Sequence, residues 1–599
     1  MQFLTGIKKI KLNLGTTFLF GVLLGSFIFL MIYGVDVVRF TNINWLTHSG
    51  DLEGIWDLTQ HYMGWVFFRK TPWTFPFGLT EGITIEPISV AYTDSIPLFA
   101  IFFKLLSPLL PENFQYFGFF ELLSYGLMGG FGAIIPYKYS KSVYFNMISA
   151  SFFVLSPVLL KRTLYHTALS AHFVILAAIC LWIYRSDFKK RKKYITIWAI
   201  LCAVATLINP YYTPMVVGIM LCSQLQDLIV RKNIKECVLQ IGICGVITII
   251  AGYSIGLFYG SVSASAESLE LLSTNLNSLF NPHDVHVDIP RAYTFNFKDY
   301  SSSLFFSGFP YGVGWQEEGF AYLGLGMIIL LVASLILFAR QLLGRKSTNR
   351  IVHNDNREVV RTRKSYGISI FIGLMVFMFL ALGPVCYFNE HVLYTISWPD
   401  KIYNMLSVFR STGRFVWPVH FGVMTLVILA IAKSAKEERR GLLLMVVCLV
   451  IQIIDLWPAY TNKHSIYANV RYDSSSDFEG YMLEDPAWDY LAENCDEIIF
   501  YIPTGATICM SPEMSCSFEL LADKYDLSLN ATYCSRPVDQ AADEYAKNEM
   551  MYREEGKRDS GQIFVFLDET RIPDCEKAGL SLYQIHDIWI GTELTIENK

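Results

Sequence analysis

Long apolar segments recur along the chain, with shorter polar stretches between them. A helix that crosses the hydrocarbon core of a bilayer needs about 20 mostly apolar residues. Windows of that length predict eleven membrane-spanning helices, at 16–35, 116–136, 143–160, 168–184, 194–208, 211–229, 237–258, 320–339, 367–386, 415–432 and 441–459. The fifth and sixth segments are short and meet at Asn209-Pro210, so a single broken helix is the alternative there and the count could shift by one.

The amino-acid composition agrees with this pattern. Of the 599 residues, 53% are apolar and only 17% are charged, whereas a soluble globular protein has about 25% charged residues. The chain therefore has too little charge to cover an ordinary water-facing surface. We expect an α-helical polytopic membrane protein, and we exclude a cytosolic multidomain enzyme, a coiled coil and a disordered chain.

Basic residues predict the orientation of these helices, because cytoplasmic loops carry an excess of Lys and Arg. If eleven spans alternate, every basic cluster falls on one side of the membrane: 8–11, 138–141, 185–193, 231–235, 340–364 and 433–440. The N-terminus is then cytoplasmic and the C-terminal region lies outside. No small-x-small cleavage motif follows the first span, so we expect an uncleaved anchor in the plasma membrane.

Three segments on the predicted outer side are too long for simple turns, namely 36–115, 259–319 and 460–599. The first contains short apolar runs, above all Pro97–Leu110, that suit helices lying in the membrane interface. The last alternates helical patterns with strand-like runs, as a small α/β domain does. We expect a membrane domain over 1–459, which includes the outer loops, and an extracytoplasmic α/β domain over 460–599.

Charge is distributed unevenly between these two domains. Residues 460–599 contain 11 Lys and Arg against 27 Asp and Glu, which leaves 37 against 26 in the rest of the chain. The net charges of −16 and +11 argue against a nucleic-acid partner, which needs a basic exposed surface. The same tail contains five cysteines, an odd number that permits at most two disulfides among them.

Motifs of soluble enzymes are absent, including P-loops, dinucleotide-binding glycine motifs, HExxH and GxSxG. Candidate chemistry therefore lies in polar residues at the outer membrane face. The first outer loop contains Asp51, Glu53, Asp57 and Asp94 among aromatic residues. Acids bind or deprotonate sugar hydroxyls, and rings stack on the apolar faces of sugars. Two structural alternatives stay open: Asp57 and Gln60 match a helix capping box, and Asp94 would cap the next helix.

Cationic side chains gather on the same predicted side. They are Lys104, Arg162, His166 and His172, followed by Arg410 and Arg414 in the segment FRSTGRFVWP before the tenth span. Guanidinium groups match phosphate oxygens in geometry and charge, so these residues predict a site for a lipid-linked phosphate. The alternative for any one arginine is simple snorkelling to lipid headgroups.

Several segments resemble a bacterial multi-pass membrane family of uncharacterised function. They are DLTQHYMGWVFFRKTPW (57–73), YTDSIPLFAIFFK (92–104), LLPENFQYF (109–117), HTALSAHFVILA (166–177), STNLNSLFNP (273–282), EGFAYLGLG (318–326) and FRSTGRFVWP (409–418). The resemblance runs from about residue 40 to the end of the spans, and the tail is similar in kind. That family in turn resembles the GT-C superfamily of integral-membrane glycosyltransferases, a likeness at the level of the fold.

The resemblance to GT-C enzymes implies an essential acidic residue in the first outer loop, at the start of an interfacial helix. Asp57 matches that place best. Asp51 and Glu53 have the DxE spacing of other GT-C members but precede the matching stretch, and Asp94 is the natural second carboxylate. The implied site for the donor phosphate comprises Arg410, Arg414, Lys104, Arg162 and His166. The implied site for sugar or acceptor comprises His61, Trp65, Arg69, His172, Asn275 and Glu318.

The expected function is inverting transfer of a sugar from a polyprenyl-phosphate donor to a cell-envelope glycan or glycoconjugate, with Asp57 as general base. Mg²⁺ or Mn²⁺ would suit oxygen ligands of this kind, although no aspartate cluster demands a metal. A transporter or flippase is the alternative, and a non-catalytic scaffold that presents the tail is a third. The near absence of charge within the spans favours chemistry at the surface. Sugar transfer requires the distant acids and bases to converge in one cavity.

Overall fold

The computed structural model describes residues 12–49, 56–259, 268–282, 302–345, 355–434, 438–468, 470, 483–501, 511–534, 539–556, 561–567 and 569–596. Within these ranges the protein is mostly helical, with a five-stranded sheet in the C-terminal region and two two-stranded sheets. The chain divides into two compact units. The membrane unit contains Met1–Arg39, Tyr116–Ile249 and Ala264–Val470. The loop–tail unit contains Phe40–Gln115, Ile250–Ser263 and Arg471–Lys599.

Helices lie in all eleven segments that the apolar pattern predicts. Their bounds are Leu14–Tyr33, Phe117–Ile134, Val143–Val154, Phe173–Ile183, Arg191–Ile208, Tyr212–Arg231, Ile234–Ser254, Leu325–Arg345, Asp355–Leu382, Trp417–Ser434 and Glu438–Asp455. The predicted break is present, because the chain leaves the helix at Asn209, whose side chain accepts a hydrogen bond from the backbone N–H of Tyr211 at 3.0 Å.

Six helical segments in the described part of the chain are long and apolar enough to cross a membrane. They are Leu14–Tyr33, Phe117–Lys138, Tyr212–Val230, Ile234–Ser254, Ser365–Leu382 and Thr412–Ser434. A seventh counts if Arg439–Asp455 and Trp457–Tyr467, which are bent by 56°, form one span. The protein is therefore a helical membrane protein with about six membrane-capable helices, and the predicted total of eleven spans is not confirmed.

Short elements connect the long helices of the membrane unit. The α-helices are Pro157–Arg162, Ser268–Leu271, Asp400–Ser407 and Trp457–Tyr467. The 3₁₀ turns are Asp36–Val38, Pro136–Lys138, Thr167–Leu169, Arg185–Asp187, Gln316–Gly319 and Thr412–Val416. Strands Val385–Phe388 and His391–Thr395 form an antiparallel hairpin.

Glycines bring the first membrane helix close to Phe117–Ile134. A Cβ on Gly21 would lie 2.4 Å from the carbonyl oxygen of Gly129, and a Cβ on Gly25 would lie 2.1 Å from that of Tyr125. Small residues at helix contacts allow backbones in a membrane to approach and gain van der Waals packing. A larger residue at either glycine would force the two helices apart.

The tail forms a small α/β fold. Its sheet has the strand order Ser528–Leu529, Glu497–Tyr501, Gln562–Phe566, Ile588–Thr592, Ser581–Ile585. The first three strands are parallel, and Ile588–Thr592 is antiparallel to both of its neighbours. The tail helices are Pro486–Glu493, Pro512–Tyr525, Asp539–Glu554 and Ile572–Lys577, with a 3₁₀ turn at Glu569–Arg571. Ile499 and Phe564 of the sheet and Met550 of the helix Asp539–Glu554 belong to the buried core of this fold. Strands of this kind are rich in apolar residues because helices cover the sheet.

The first outer loop packs onto the tail. The described loop elements are helices Asn44–Thr47, Asp57–Lys70 and Pro97–Leu105, the 3₁₀ turn Ser107–Leu109, and strands Leu79–Thr80 and Ile88–Ser89. The Asp57–Lys70 helix contacts the Pro512–Tyr525 helix, and the backbone N–H of Leu529 donates to the carbonyl oxygen of Gly82 at 2.8 Å. The compact units thus group residues 40–115 with the tail, whereas the predicted division at residue 459 leaves them in the membrane domain.

Candidate functional site

Two arginines and one glutamate meet in the membrane unit. Oε2 of Glu318 accepts hydrogen bonds from Nη2 of Arg162 at 3.0 Å and from Nε of Arg414 at 2.7 Å. Oε1 of Glu318 accepts from Nη1 of Arg162 at 3.2 Å, and the Ser411 hydroxyl donates to Oε2 at 3.2 Å. We call Arg162, Glu318 and Arg414 the arginine–glutamate cluster.

Local structure explains how three distant segments reach one point. Glu318 lies in the 3₁₀ turn Gln316–Gly319, and Arg414 lies in the 3₁₀ turn Thr412–Val416. Gly413 permits these turns to approach, because a Cβ there would lie 2.9 Å from the backbone nitrogen of Gly319. Arg162 ends its helix and also donates from Nη2 to the carbonyl oxygen of Glu318 at 3.2 Å.

Aromatic rings hold both guanidinium groups of the cluster. The Arg162 guanidinium lies 5.4 Å from the ring centroid of Trp417, and that of Arg414 lies 4.5 Å from the ring centroid of Tyr211. The Tyr211 hydroxyl in turn accepts from the backbone N–H of Ser411 at 2.8 Å. Cation–π contacts of this kind add about 0.5–2 kcal/mol each, depending on desolvation. The rings therefore fix the orientation of the two cations.

The cluster is almost removed from solvent. The side chains of Arg162, Arg414 and Glu318 are 2%, 11% and 12% exposed. Burial alone would raise the pKa of the Glu318 carboxyl, but the charges of Arg162, Arg414 and His166 outweigh it and lower that pKa well below its usual range. Glu318 is therefore ionised at neutral pH, and two guanidinium charges face one carboxylate.

Three other predicted residues of the membrane unit differ in their distance from the arginine–glutamate cluster. His166 lies beside it, with Nδ1 at 3.4 Å from Nη1 of Arg162. His172 is buried with its ring centroid 4.6 Å from that of Trp417, and neither of its ring nitrogens has a hydrogen-bond partner in the described part of the chain. Arg410 is exposed and belongs to none of these contacts.

Asn275 supports the backbone of the hairpin turn. Its amide nitrogen donates to Oε1 of Gln316 at 3.1 Å and to the carbonyl oxygen of Asn389 at 2.8 Å. Its amide oxygen accepts from the backbone N–H of Asn389 at 3.0 Å. Asn389 has a left-handed φ of 53°, a conformation that costs energy for a residue with a side chain. The contacts of Asn275 therefore have a structural role, and its predicted role toward sugar stays a prediction.

In the loop–tail unit, Asp57 is the first residue of its helix. The N-cap is Trp56, whose side chain caps no backbone N–H, so the capping-box interpretation of Asp57 and Gln60 is wrong. The thiol of Cys516 donates to the carbonyl oxygen of Trp56 at 3.6 Å. A carboxylate in the first turn is stabilised by the helix dipole. Asp57 is thus placed beside the tail helix Pro512–Tyr525.

Asp94 lies near His61 in a strained loop. Oδ2 of Asp94 is 4.0 Å from Nε2 of His61, and burial lowers the pKa of His61 to about 3, so this imidazole is neutral at physiological pH. Asp94 and Ile96 both have left-handed φ angles, 52° and 53°. Ile96, not Asp94, is the N-cap of Pro97–Leu105, so the predicted cap is wrong. Strain of this kind often accompanies functional loops.

Lys104 is buried between aromatic rings of the same unit. Its Nζ lies 4.0 Å from the ring centroid of Phe68 and 4.7 Å from that of Trp73. Burial lowers the pKa of the amine to about 8, and the charge of Glu81 opposes that shift. Lys104 therefore remains mostly charged at neutral pH and is stabilised mainly by the faces of the two rings.

Two predicted sugar-binding residues of this loop stabilise its backbone. The Arg69 guanidinium donates to four carbonyl oxygens, those of Ser107, Leu110, Pro111 and Glu112, at 2.8–3.2 Å. The indole N–H of Trp65 donates to the carbonyl oxygen of Phe114 at 3.0 Å. Both side chains thus fasten the segment that follows Pro97–Leu105 to the Asp57–Lys70 helix.

Asp51 and Glu53 lie outside the described residues. Among the described residues, no group of three or more His, Cys, Asp or Glu side chains is arranged to hold a metal ion. Mg²⁺ or Mn²⁺ therefore stays a prediction of the sequence alone.

The eleven described cysteines are free thiols. Within the described residues, no disulfide therefore cross-links the tail.

A buried carboxyl group in the tail was missed by the sequence analysis. Glu519 accepts a hydrogen bond from the Ser515 hydroxyl at 2.9 Å and another from the Thr532 hydroxyl on the same oxygen. Burial raises its pKa to about 7, although these two hydrogen bonds oppose the shift. The available signal was an acid within the otherwise small and apolar run 515–522, on the helix that also bears Cys516.

Sequence comparison places the whole arrangement in one family. The profile of a domain of unknown function, DUF6311, matches residues 22–457, and the profile of the DUF6311 C-terminal domain matches residues 487–593. No curated protein matches the chain. The first profile alone spans well over half of the sequence, and the second covers most of the α/β tail. The chain therefore belongs to the DUF6311 family, whose defining domain has no known function.

Proposed function

We propose that the protein is an integral-membrane glycosyltransferase that moves a sugar from a polyprenyl-phosphate donor to a glycan or glycoconjugate at the outer face of the plasma membrane. The arginine–glutamate cluster is the observation that carries this proposal. Two guanidinium groups, oriented by Trp417 and Tyr211 and nearly removed from solvent, form a cationic centre in a helical membrane protein. Such a centre suits a phosphate that is attached to a lipid.

The cluster can serve a leaving phosphate. When the bond between the anomeric carbon and the donor phosphate breaks, the phosphate oxygen gains negative charge. Preorganised guanidinium groups in a site with little water stabilise that charge without further reorganisation. Before the donor binds, Glu318 supplies the negative charge that Arg162 and Arg414 bond. Burial of two cations with no negative charge beside them would cost free energy.

Asp57 is the proposed general base. Asp57 is the first residue of its helix, and the positive end of the helix dipole favours its ionised form. Asp57 would take the proton of the acceptor hydroxyl, whose oxygen attacks the anomeric carbon while polyprenyl phosphate leaves. Attack from the opposite face inverts the configuration. Asp94, with neutral His61 at 4.0 Å, is the proposed second carboxylate that binds acceptor hydroxyls.

A transporter or flippase for a lipid-linked substrate is the second candidate, and one observation favours it. Glu121 is fully buried within Phe117–Ile134 and accepts from the backbone N–H of Leu164 at 3.2 Å. An ionisable residue inside a membrane helix often marks a substrate or proton pathway. The arginine–glutamate cluster would then bind a lipid phosphate without breaking a bond.

The decisive experiment measures release of polyprenyl phosphate. The full chain, purified into lipid nanodiscs, is incubated with a panel of radiolabelled polyprenyl-phosphate hexoses and cell-envelope fragments as acceptor. We expect wild-type turnover with at least one donor and a loss of about 10²–10⁴ in rate for Asp57→Asn, with donor binding unchanged. Asp36→Asn, which alters an exposed ion pair with Arg39, is the matched control.

Each outcome of that experiment separates the two candidates. Full turnover by Asp57→Asn would remove Asp57 from the mechanism. If wild type releases no polyprenyl phosphate from any donor yet moves the labelled lipid across the bilayer of sealed vesicles, the protein is a transporter and the proposal of sugar transfer is wrong.

A further inference from the structure

A short segment between two membrane helices has an unusually apolar exposed surface. It follows Asp355–Leu382 and precedes Trp417–Ser434. It consists of the hairpin of Val385–Phe388 and His391–Thr395, followed by the helix Asp400–Ser407. We call residues 385–408 the rim segment. Its surface is separate from the arginine–glutamate cluster and was not singled out by the sequence pattern.

The outer strand of the hairpin, His391–Thr395, is exposed along its whole length although its central residues are apolar or aromatic. Val392, Leu393 and Tyr394 are 53%, 55% and 37% exposed. The first strand differs, because its residues Val385–Tyr387 are buried against the membrane unit. A free, apolar edge strand in water is an aggregation hazard that soluble proteins avoid with charges or proline. The exposure therefore indicates that something other than bulk water covers this strand.

The helix of the rim segment has two chemically different faces. Ile402 and Met405 lie three residues apart on one face and are 44% and 63% exposed. Asp400 and Asn404 lie four residues apart on the opposite face, and both are also exposed. Residues spaced by three or four positions share a face of an α-helix. A short helix with one exposed apolar face and one exposed polar face suits a boundary between oil and water.

Continuity with the membrane helices identifies what covers the rim segment. Its first strand begins at Val385, three residues after the end of the membrane helix at Leu382. The ring of Trp398, between the hairpin and the short helix, lies 6.1 Å from that of Phe379 in the last turn of the same membrane helix. Both ends of the segment are therefore attached to membrane helices at one bilayer surface, and the lipid itself is the nearest apolar partner.

Another loop of the membrane unit repeats the pattern. Leu304, Phe305 and Phe306 are 55%, 54% and 49% exposed. The backbone N–H of Leu304 donates to the carbonyl oxygen of Asp455, the last residue of another apolar helix. The Ser303 hydroxyl also donates to the carboxylate of Asp455. A second apolar run is thus fixed at the end of a membrane helix.

We propose that the rim segment lies in the headgroup layer of the bilayer and binds the lipid surface with Val392, Leu393, Ile402 and Met405. The outer strand sets the depth, because it forms an edge of a two-stranded sheet and an open sheet edge does not enter the hydrocarbon core. Amphipathic elements at this depth bury their apolar side about 5–10 Å into the boundary. The hairpin is held rigidly for this purpose by Asn275, which bonds both backbone groups of Asn389 in its turn.

The location also gives Arg410 a role. This exposed arginine lies two residues after the end of the rim segment, and it lies outside the arginine–glutamate cluster. At headgroup depth its guanidinium would bind lipid phosphates, which is the snorkelling alternative for this residue. Arg410 and Arg414 would thus contact different phosphates.

Fluorescent labels test the position of the rim segment without any assay of sugar transfer. Single cysteines replace Met405, Leu393 or Asn404 in the full chain, each is labelled with bimane, and the protein is placed in phosphatidylcholine vesicles. The described native cysteines are buried or partly buried, so the introduced exposed thiol reacts first. Phe371, 65% exposed within a membrane helix, gives a lipid-facing reference when it is replaced in the same way.

We expect labels at Met405→Cys and Leu393→Cys to be quenched by lipids with a spin label near the headgroup, and to lose about half or more of the iodide quenching seen at Asn404→Cys. The Phe371→Cys label should respond to deep spin labels instead. Iodide quenching at 405 and 393 equal to that at 404 would overturn the proposal. Protection from iodide without lipid quenching, together with cross-linking between chains, would also overturn it, because a second copy would then cover this surface.

Discussion

Nε of Arg414 lies 2.7 Å from Oε2 of Glu318, the oxygen that also accepts from Arg162 at 3.0 Å. One carboxylate oxygen therefore links two cations that are 96 and 156 residues away from it in the chain. Within the arginine–glutamate cluster, two guanidinium groups share one carboxylate. This arrangement predicts separate effects for the removal of the carboxylate and the alteration of each arginine.

Glu318→Gln should destabilise the protein strongly. The substitution removes the carboxylate charge that both Arg162 and Arg414 bond in a nearly buried position, and loss of one partner from a buried ion pair costs about 3 kcal/mol or more. The expected result is a lower Tm in a thermal scan of the detergent-solubilised chain, with partial recovery when long-chain polyprenyl phosphate supplies a new anion. Glu390→Gln, at the exposed hairpin turn, is the control. An unchanged Tm would show that the cluster does not stabilise the fold.

Arg414→Lys should weaken donor binding, whereas Arg410→Lys should not. Lysine keeps the charge but loses the planar guanidinium group, whose Nε bonds Glu318 and whose face stacks on Tyr211. We expect about a tenfold loss of affinity for polyprenyl phosphate, or about 1.4 kcal/mol. Binding of a tritiated polyprenyl phosphate to nanodiscs measures it. Equal affinities for the two variants would place the phosphate elsewhere.

Glu519 should make stability depend on pH in the neutral range. Its folded pKa of about 7 is above the unfolded value of 4.5, so the folded protein binds the extra proton between these limits. The contribution of Glu519 to stability is therefore fully present below pH 4.5 and is lost as the pH rises to about 7, by an amount on the order of 3 kcal/mol.

Glu519→Gln isolates this effect, because glutamine retains the acceptor for Ser515 and Thr532 without an ionisable proton. Thermal unfolding of the full chain between pH 5 and pH 8 should show that the variant gains stability relative to wild type as the pH rises. Glu513→Gln, partly exposed on the same helix, is the control. Parallel curves for wild type and Glu519→Gln would refute the assignment.

Arg69→Ala should destabilise the first outer loop, whereas Lys70→Ala should have little effect. Arg69 donates to four carbonyl oxygens that would lose their partners, at a cost of about 1–3 kcal/mol. Lys70 forms an exposed ion pair with Asp523, and such pairs contribute about 0–1 kcal/mol. Limited proteolysis near residues 106–113 provides the measurement. Equal cleavage of the two variants would leave a role in sugar binding as the better explanation for Arg69.

Sequence motifs at helix starts proved less reliable than the helices themselves. The Asp57–Lys70 helix matches the predicted start, but Trp56 and Ile96 occupy the N-cap positions that the motifs assign to acidic residues. A capping motif describes only local hydrogen bonds. The conformation of the first outer loop instead depends on close packing between its segments. At Gly64, for example, a Cβ would lie 2.2 Å from the Thr93 hydroxyl oxygen. Packing between segments therefore determines where Asp57 and Asp94 lie.

The sequence by itself determined the helices of the membrane unit and the α/β tail. Helices and strands each have a characteristic spacing of apolar residues, and that spacing can be recognised within a short stretch of the chain. It also predicted which acids and arginines are candidates for chemistry. Only the tertiary structure decided that Glu318 binds Arg162 and Arg414, that Arg69 supports a loop, and that the first outer loop packs on the tail. Contacts between residues far apart in the chain depend on the path of the chain in space, and neither spacing nor composition encodes that path locally.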